Sequence, residues 1–238
     1  MKTQFEYSGL ELDFFEKAIN WKSYYLKLCC NLFKKNHDIL EIGAGIGGIS
    51  KVFIPALEFS SWTLVEPDKI NFQKLIKNIN FLKRNQVSAL NLRIEEFEND
   101  SNSYDLILLA DVIEHIQEDK NALEKLFSKL KPDGKLIIFV PACQYLYSPF
   151  DKQIGHFRRY SMKSLEKILP SNSKVTEKKY IDSIGFFASL FNKLILKSSN
   201  PTIKQVLFWD KILVPLSKFF DRLFLYRFGK NIYLIVSK

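Results

Sequence analysis

Two stretches of this chain combine residue types and spacings that could do chemistry. The first runs Asp38-Ile-Leu-Glu-Ile-Gly-Ala-Gly-Ile-Gly-Gly-Ile-Ser50, where Gly43, Ala44, Gly45 and Gly47 follow a short apolar run. Glycine accepts positive φ and lets backbone approach a ligand without a Cβ in the way. A helix starting beyond such a turn adds free N–H groups. Glu41 stands two residues before the first glycine, where a carboxylate can pair with a cationic group directly or through water. Glu66, with Pro67 after it, stands 23 residues beyond Gly43, where a carboxylate can accept both hydroxyls of a ribose. The spacing Gly43-x-Gly45-x-x-Gly48 also satisfies the dinucleotide fingerprint. The glycines alone therefore leave two nucleoside cofactors open, and a merely tight strand–helix turn as well. Two carboxylates at two strand ends beside the turn favour a ligand site.

The second stretch is Tyr145-Leu-Tyr-Ser-Pro-Phe-Asp-Lys-Gln-Ile-Gly-His-Phe-Arg-Arg-Tyr-Ser161. Asp151, His156, Arg158, Arg159 and Tyr160 fall within ten residues of one another. Paired arginines grip phosphate or carboxylate through forked hydrogen bonds. His156 can take a proton from a hydroxyl acceptor, with Asp151 orienting the ring. The same residues could instead fix the loop and cap the next helix, for which Ser161 suits the N-cap. No metal is expected at either stretch.

These residues need elements to hold them. Apolar residues from Leu10 to Lys35 recur at helical spacing and predict one or two covering helices. Short apolar runs then predict strands at His37–Ile42, Ser61–Glu66, Ser88–Leu92, Asp105–Ala110 and Lys135–Val140. Helices are expected at about Gly48–Leu57, Lys69–Leu82 and Asp119–Leu130, with Pro132-Asp-Gly134 as a turn into the fifth strand. A helix at Ser161–Leu169, a strand at about Lys174–Tyr180 and a last strand at Asn231–Val236 follow. This alternation predicts an α/β, Rossmann-like doubly wound sheet whose ligand crevice lies beyond the strands' carboxyl ends.

Four segments in order carry a family likeness: Leu40-Glu-Ile-Gly-Ala-Gly-Ile-Gly47, Leu64-Val-Glu-Pro-Asp68, Tyr104-Asp-Leu-Ile-Leu-Leu-Ala-Asp-Val-Ile-Glu-His-Ile116 and Leu130-Lys-Pro-Asp-Gly-Lys-Leu-Ile-Ile138. With them the sequence resembles the class I S-adenosylmethionine-dependent methyltransferases, over about residues 20–180 and the last strand. The resemblance implies a seven-stranded sheet with its last strand antiparallel, and S-adenosyl-L-methionine as cofactor. It implies that Glu41 and Gly43–Gly47 line the methionine and sugar side, that Glu66 holds the ribose, and that Ala110 and Asp111 lie beside the methionine portion. The family often has an acidic residue after strand three for the adenine amine. Here the chain reads Leu92-Arg-Ile-Glu-Glu-Phe97, leaving Glu95 or the backbone at Ile94 for that contact. His115, common at its position in the family, reads as a positioning residue. The Gly155-His-x-Arg-Arg-Tyr160 stretch resembles a branch acting in surface-polysaccharide, lipid-linked sugar or quinone-type biosynthesis.

The last third is built differently. The net charge of +9 divides into −3 over residues 1–151 and +12 over residues 152–238, which points to an anionic partner. In most relatives a short hairpin joins the two final strands; here residues 183–230 form an added segment rich in Phe, Leu and Lys. The expected division is cover helices at 1–36, a cofactor-binding core at 37–182, the insertion at 183–230 and the last strand at 231–238. Lys197, Lys204, Lys211 and Lys218 recur every seven residues, with a helix break expected at Pro215. The segment reads either as helices packed on the sheet or as a hydrophobic lid with a basic rim over residues 184–228. Such a lid would bind a lipid-linked anionic acceptor or an anionic membrane surface. Aromatics interleaved with Leu and Ile at core spacing argue against nucleic acid. Three cysteines without a framework, no leader-like start and no long uncharged apolar run predict a cytoplasmic protein, peripheral at the membrane at most. The expected activity is methyl transfer to a small or lipid- or sugar-linked acceptor, at a hydroxyl. Its rivals are a nucleotide-binding oxidoreductase and a non-catalytic adaptor on the same fold.

Overall fold

The computed structural model describes residues 10–80, 82, 84–99, 103–196 and 201–238. Seven strands among them form one sheet: β1 (Asp38–Ile42), β2 (Ser61–Val65), β3 (Val87–Leu90), β4 (Tyr104–Ala110), β5 (Leu130–Pro141), β6 (Lys174–Ile181) and β7 (Asn231–Ser237). Their order is β3-β2-β1-β4-β5-β7-β6. The first five run parallel, and β7 lies antiparallel between β5 and β6. Chain order reverses between β1 and β4, which opens a crevice at their carboxyl ends. The Gly43 turn and Asp111 leave the sheet there.

Alternation along the strands divides the core between two faces. Ile39, Leu64, Leu106, Leu108, Ile137, Phe139 and Tyr233 point to one face. There they meet Tyr25 of α2 (Ile19–Cys29), Phe53 of α3 (Ser50–Ala56) and Leu75 of α4 (Lys69–Asn80). Leu40, Ile42, Ile107, Leu109, Ile138 and Leu234 point to the other, against Leu123, Leu126 and Phe127 of α5 (Asp119–Ser128). Burial on both faces explains why the strands read as continuous apolar runs. Ahead of α2, a separate helix α1 (Leu10–Glu16) ends where Lys22 Nζ donates to the Phe15 and Glu16 carbonyls at 2.6 Å each.

Several expected boundaries move for local reasons. Pro132-Asp-Gly134 does not precede β5. Pairing passes from Tyr104↔Leu130 to Leu106↔Lys135, so these residues bulge out of a longer strand, with Asp133 at φ 64°. β3 stops at Leu90, and Asn91 turns its amide onto the Glu66 and Pro67 carbonyls. After α6 (Pro149–Gln153), Ser161 caps α7 (Met162–Glu166) as expected, but that helix is shorter than Ser161–Leu169.

The added segment opens with α8 (Ser183–Phe191), which continues into a π-helical turn at Asn192–Leu196. Lys197 lies outside the described residues. Helix α9 (Ile203–Phe208), a π-helical turn at Trp209–Leu213 and α10 (Val214–Leu223) then run on without interruption. Pro215 therefore does not break the helix. The wider turn, with Val214 N–H donating to Trp209 O, accommodates the ring that an ordinary turn would reject.

Buried carboxylates fasten this segment. Asp210 accepts from Asn20 N and Trp21 N at the start of α2. Asp221 accepts from Tyr24 Oη at 2.8 Å and from the N–H groups of Asp182 and Ser183 at 2.7 and 2.8 Å. Asp182 accepts from Gly185 N, Ser217 Oγ and Trp209 Nε1. Among the described residues, no helix is long and apolar enough to cross a membrane.

Candidate active site

The crevice is the floor of a cavity of about 1130 Å³. That exceeds what one drug-sized ligand usually fills, leaving room for a nucleoside cofactor and a second molecule. Gly43, Ala44 and Gly45 line its floor with Ala110 and Asp111, while His156, Asp151 and Arg159 line one wall. The roof comes from α8, α9 and the π-helical turn after each, where Phe187, Phe191, Phe208, Trp209 and Leu213 line the cavity alongside Lys204.

The glycine turn is built for close approach. Gly43 has φ +68°, and a Cβ there would lie 2.6 Å from Val112 Cγ2. The Gly45 N–H is held by Glu66 Oε2 at 2.8 Å, and Glu66 Oε1 accepts from Asp68 N at 2.9 Å. Burial raises the Glu66 carboxyl above its ordinary range, an effect these backbone donors oppose. Each of its oxygens keeps a second lone pair. Leu12 of α1 lies over Gly45, so the N-terminal helix covers this end of the floor.

Other cofactor candidates stand elsewhere. Glu41 is buried behind the turn, where its carboxylate accepts from Ser50 Oγ and Trp62 Nε1. Burial pushes its carboxyl up to about 7 against those two bonds. It supports the turn rather than facing the cavity. Gly47, at φ +84°, faces Leu75 in the core. Pro67 is exposed, its carbonyl bonded to Asn91. Ile94 packs on the core, and Glu95 is exposed with its carbonyl receiving Lys125 Nζ. The geometry thus brings neither Ile94 nor Glu95 to the cavity.

The five residues of the second stretch separate into two groups. Asp151 and His156 meet at 2.9 Å through Nδ1, and Arg159 grips both Asp151 oxygens at 2.8 and 3.1 Å. Burial alone would raise the Asp151 carboxyl, but His156 and Arg159 hold it well below the carboxylate range. Arg158 and Tyr160 turn away from the cavity. Arg158 pairs with Asp119 at 2.9 Å and with the Gln117 carbonyl; the buried Tyr160 hydroxyl donates to Asp119 at 2.7 Å. Both anchor the loop to the start of α5. The expected arginine pair is a single inward arginine, because neighbouring side chains on this extended segment point to opposite sides.

Sequence reasoning missed Glu114 and Tyr25. Tyr25 Oη donates to Asp111 at 3.3 Å, joined there by Asn231 Nδ2, so α2 and β7 hold the Asp111 side chain. Nothing in its helical spacing distinguished Tyr25 from a core aromatic. Glu114 follows β4 inside a quoted motif, where a carboxylate among apolar residues was the available signal. It is fully buried, neither of its oxygens has a hydrogen-bond partner, and burial beside Asp111 raises its carboxyl strongly. His115 lines the cavity too, its ring 4.5 Å from that of His156, and burial lowers its imidazole to about 3.

With this geometry in hand, likeness to known proteins is informative. A family model described as a methyltransferase domain matches residues 40–136, from β1 into β5. The ubiquinone/menaquinone biosynthesis C-methyltransferase UbiE of Erwinia tasmaniensis is 22% identical over 197 residues, covering 79% of this chain and 70% of that protein. Phosphoethanolamine N-methyltransferase 2 of Caenorhabditis elegans is 27% identical over 145 residues, 57% of this chain and 31% of that one. Among solved structures, phosphoethanolamine N-methyltransferase 2 of Haemonchus contortus, in complex with phosphomonomethylethanolamine and S-adenosylhomocysteine, has a TM-score of 0.64 at 17% identity. That match covers 98% of this chain and 58% of the other.

Proposed function

We propose, for a chain that is a class I S-adenosylmethionine-dependent methyltransferase, that it methylates a hydroxyl of an anionic, lipid- or sugar-linked acceptor presented at a membrane surface. The observation carrying this reading is that the glycine floor and the His156–Asp151 pair line one cavity under an apolar roof with a lysine at its edge.

The floor suits S-adenosyl-L-methionine, as the complexes of structural neighbours with that cofactor or its product support. Gly43 and Gly45 leave room for close contact, Glu66 has lone pairs for ribose hydroxyls, and Asp111 offers negative charge. When bound, the cofactor supplies a methyl group already activated on a cationic sulfur. What remains for the protein is to align the acceptor and ease the loss of its proton. His156 is fixed through Nδ1 by Asp151, which leaves Nε2 as the nitrogen for the acceptor's proton. Arg159 and Lys204 add positive charge for an anionic group.

The membrane part rests on the long helix over residues 203–223. Val206, Asp210, Val214, Ser217 and Asp221 form its buried face. Phe208, Ile212, Leu216, Phe219 and Leu223, at the same spacing, are 44–66% exposed. The larger apolar side chains thus point outward, as on a helix lying in a lipid interface. Exposed Lys204 and Lys211 on the same helix fit an anionic surface. Lys218 is half-buried over the Tyr24 ring, so it serves packing.

Two measurements test the proposal. In a thermal-shift titration S-adenosylhomocysteine stabilises the protein and NADH does not; stabilisation by NADH alone would sink it. The protein co-sediments with anionic liposomes in a salt-sensitive way, and reversing Lys204 and Lys211 to Glu weakens that binding. Equal binding by the variant removes the membrane from the reading.

A further inference from the structure

We propose that Glu114, His115 and His156 form a site for one divalent cation, of the manganese or zinc type, in the wall of the acceptor cavity. Each residue offers one ligand atom, and the three atoms lie within 4.8 Å of one another. Two imidazoles and one carboxylate are a donor set that holds such ions while leaving positions open for a substrate.

Three features separate this cluster from a chance meeting of polar groups. Glu114 is completely buried, and neither carboxylate oxygen has a hydrogen-bond partner. A buried carboxyl left without a partner is costly, so an orphan of this kind calls for a ligand. His156 is bonded through Nδ1 to Asp151 and turns Nε2 towards Glu114, 3.8 Å away. Metal-bound imidazoles commonly bond a carboxylate or backbone carbonyl through the other ring nitrogen, which fixes tautomer and direction. His115 completes the pattern, its ring being hydrogen-bonded to the Gly155 backbone. Asp111 adds negative charge beside Glu114 without being needed as a ligand.

The cation's remaining positions open onto the cavity. Resting on the reading that a hydroxyl acceptor sits there, they take an acceptor oxygen. The bound hydroxyl then releases its proton to water more readily, as metal-bound oxygen acids do. His156 would act on the acceptor through the cation rather than as a free base, and no further base is required.

The test uses the full chain, stripped of metal by a chelator. Mn²⁺ is titrated with the free ion followed by electron paramagnetic resonance, and Zn²⁺ is tested by competition. One ion binds per chain, and Glu114→Gln and His115→Asn each weaken it at least ~10-fold, the least that losing a ligand should cost. S-adenosylhomocysteine affinity, measured by calorimetry, stays within about threefold, since neither residue forms the glycine floor. If Glu114→Gln does not fold, His115→Asn carries the comparison. Absence of Mn²⁺ and Zn²⁺ binding by the wild type, or wild-type affinity in both variants, overturns the site. A wild type that binds the cation but not S-adenosylhomocysteine sinks the methyltransferase reading instead.

Discussion

The floor and the roof of the cavity solve opposite problems. The floor is made of backbone: Gly43 and Gly45 at positive φ, with Glu66 holding a turn N–H. Its specificity comes from the absence of side chains, so few residue types can stand there. The roof is made of side chains on helices, and the long helix over residues 203–223 has inverted polarity, with Asp210, Ser217 and Asp221 inside and Leu216, Phe219 and Leu223 outside. A floor of this kind binds one cofactor across many proteins, whereas a roof is free to follow its acceptor. The family model accordingly ends at residue 136, before the roof begins.

This contrast can be broken experimentally. His156→Ala, in the wall, should cut turnover by about 10²–10⁴ while leaving S-adenosylhomocysteine affinity within about threefold. Unchanged turnover in a methyl-transfer assay would make His156 a structural residue. Gly43→Val should act on the other side. The turn must shift to relieve the contact with Val112, and cofactor affinity measured by calorimetry should fall ~100-fold.

The roof should respond in stability. Asp221→Ala leaves the Tyr24 hydroxyl and two backbone N–H groups without their acceptor, at a cost of about 3 kcal/mol. In a chain of this size that lowers Tm by about 6–12 °C. The paired change Phe219→Ser and Leu223→Ser removes apolar area already exposed to water and should alter stability by less than about 1 kcal/mol. Liposome co-sedimentation should nevertheless fall, and retention of binding by this folded variant would assign the stripe no lipid role.

A pH-dependent effect concerns Glu41. Its folded carboxyl lies at about 7, above the ordinary carboxylate value, because burial disfavours the charge. Its stabilising contribution is therefore complete below the unfolded pKa and is lost as pH rises through about 7. Denaturant unfolding at pH 5 and pH 8 should show Glu41→Gln losing less stability than wild type over that interval. An unchanged slope would place the charge elsewhere.

The fold and the floor were legible because they depend on local patterning. Apolar runs ending in Gly43-x-Gly45 and Glu66 encode strands and their exits, and strand exits converge in a doubly wound sheet. The position of Glu41 was legible but its direction was not. It precedes the turn on β1, where alternation sends it towards Ser50 and Trp62. In the second stretch the chemistry was visible while the division was hidden: Arg159 turns to Asp151, and Arg158 turns to Asp119. Which way each side chain points depends on what α5 and α6 bring to either side.

Sequence by itself determined the sheet, the glycine turn with the carboxylate that holds it, and the basic, apolar character of the last third. Those features follow from φ preference, strand alternation and composition, which act over a few residues. Only the tertiary structure decided that Glu114 meets His115 and His156, that Tyr25 and Asn231 hold Asp111, and that the helix over 203–223 buries its carboxylates. Each of these rests on groups brought together from distant parts of the chain. A buried Asp is tolerable only where a partner's N–H or O–H supplies the hydrogen bonds that water would have made.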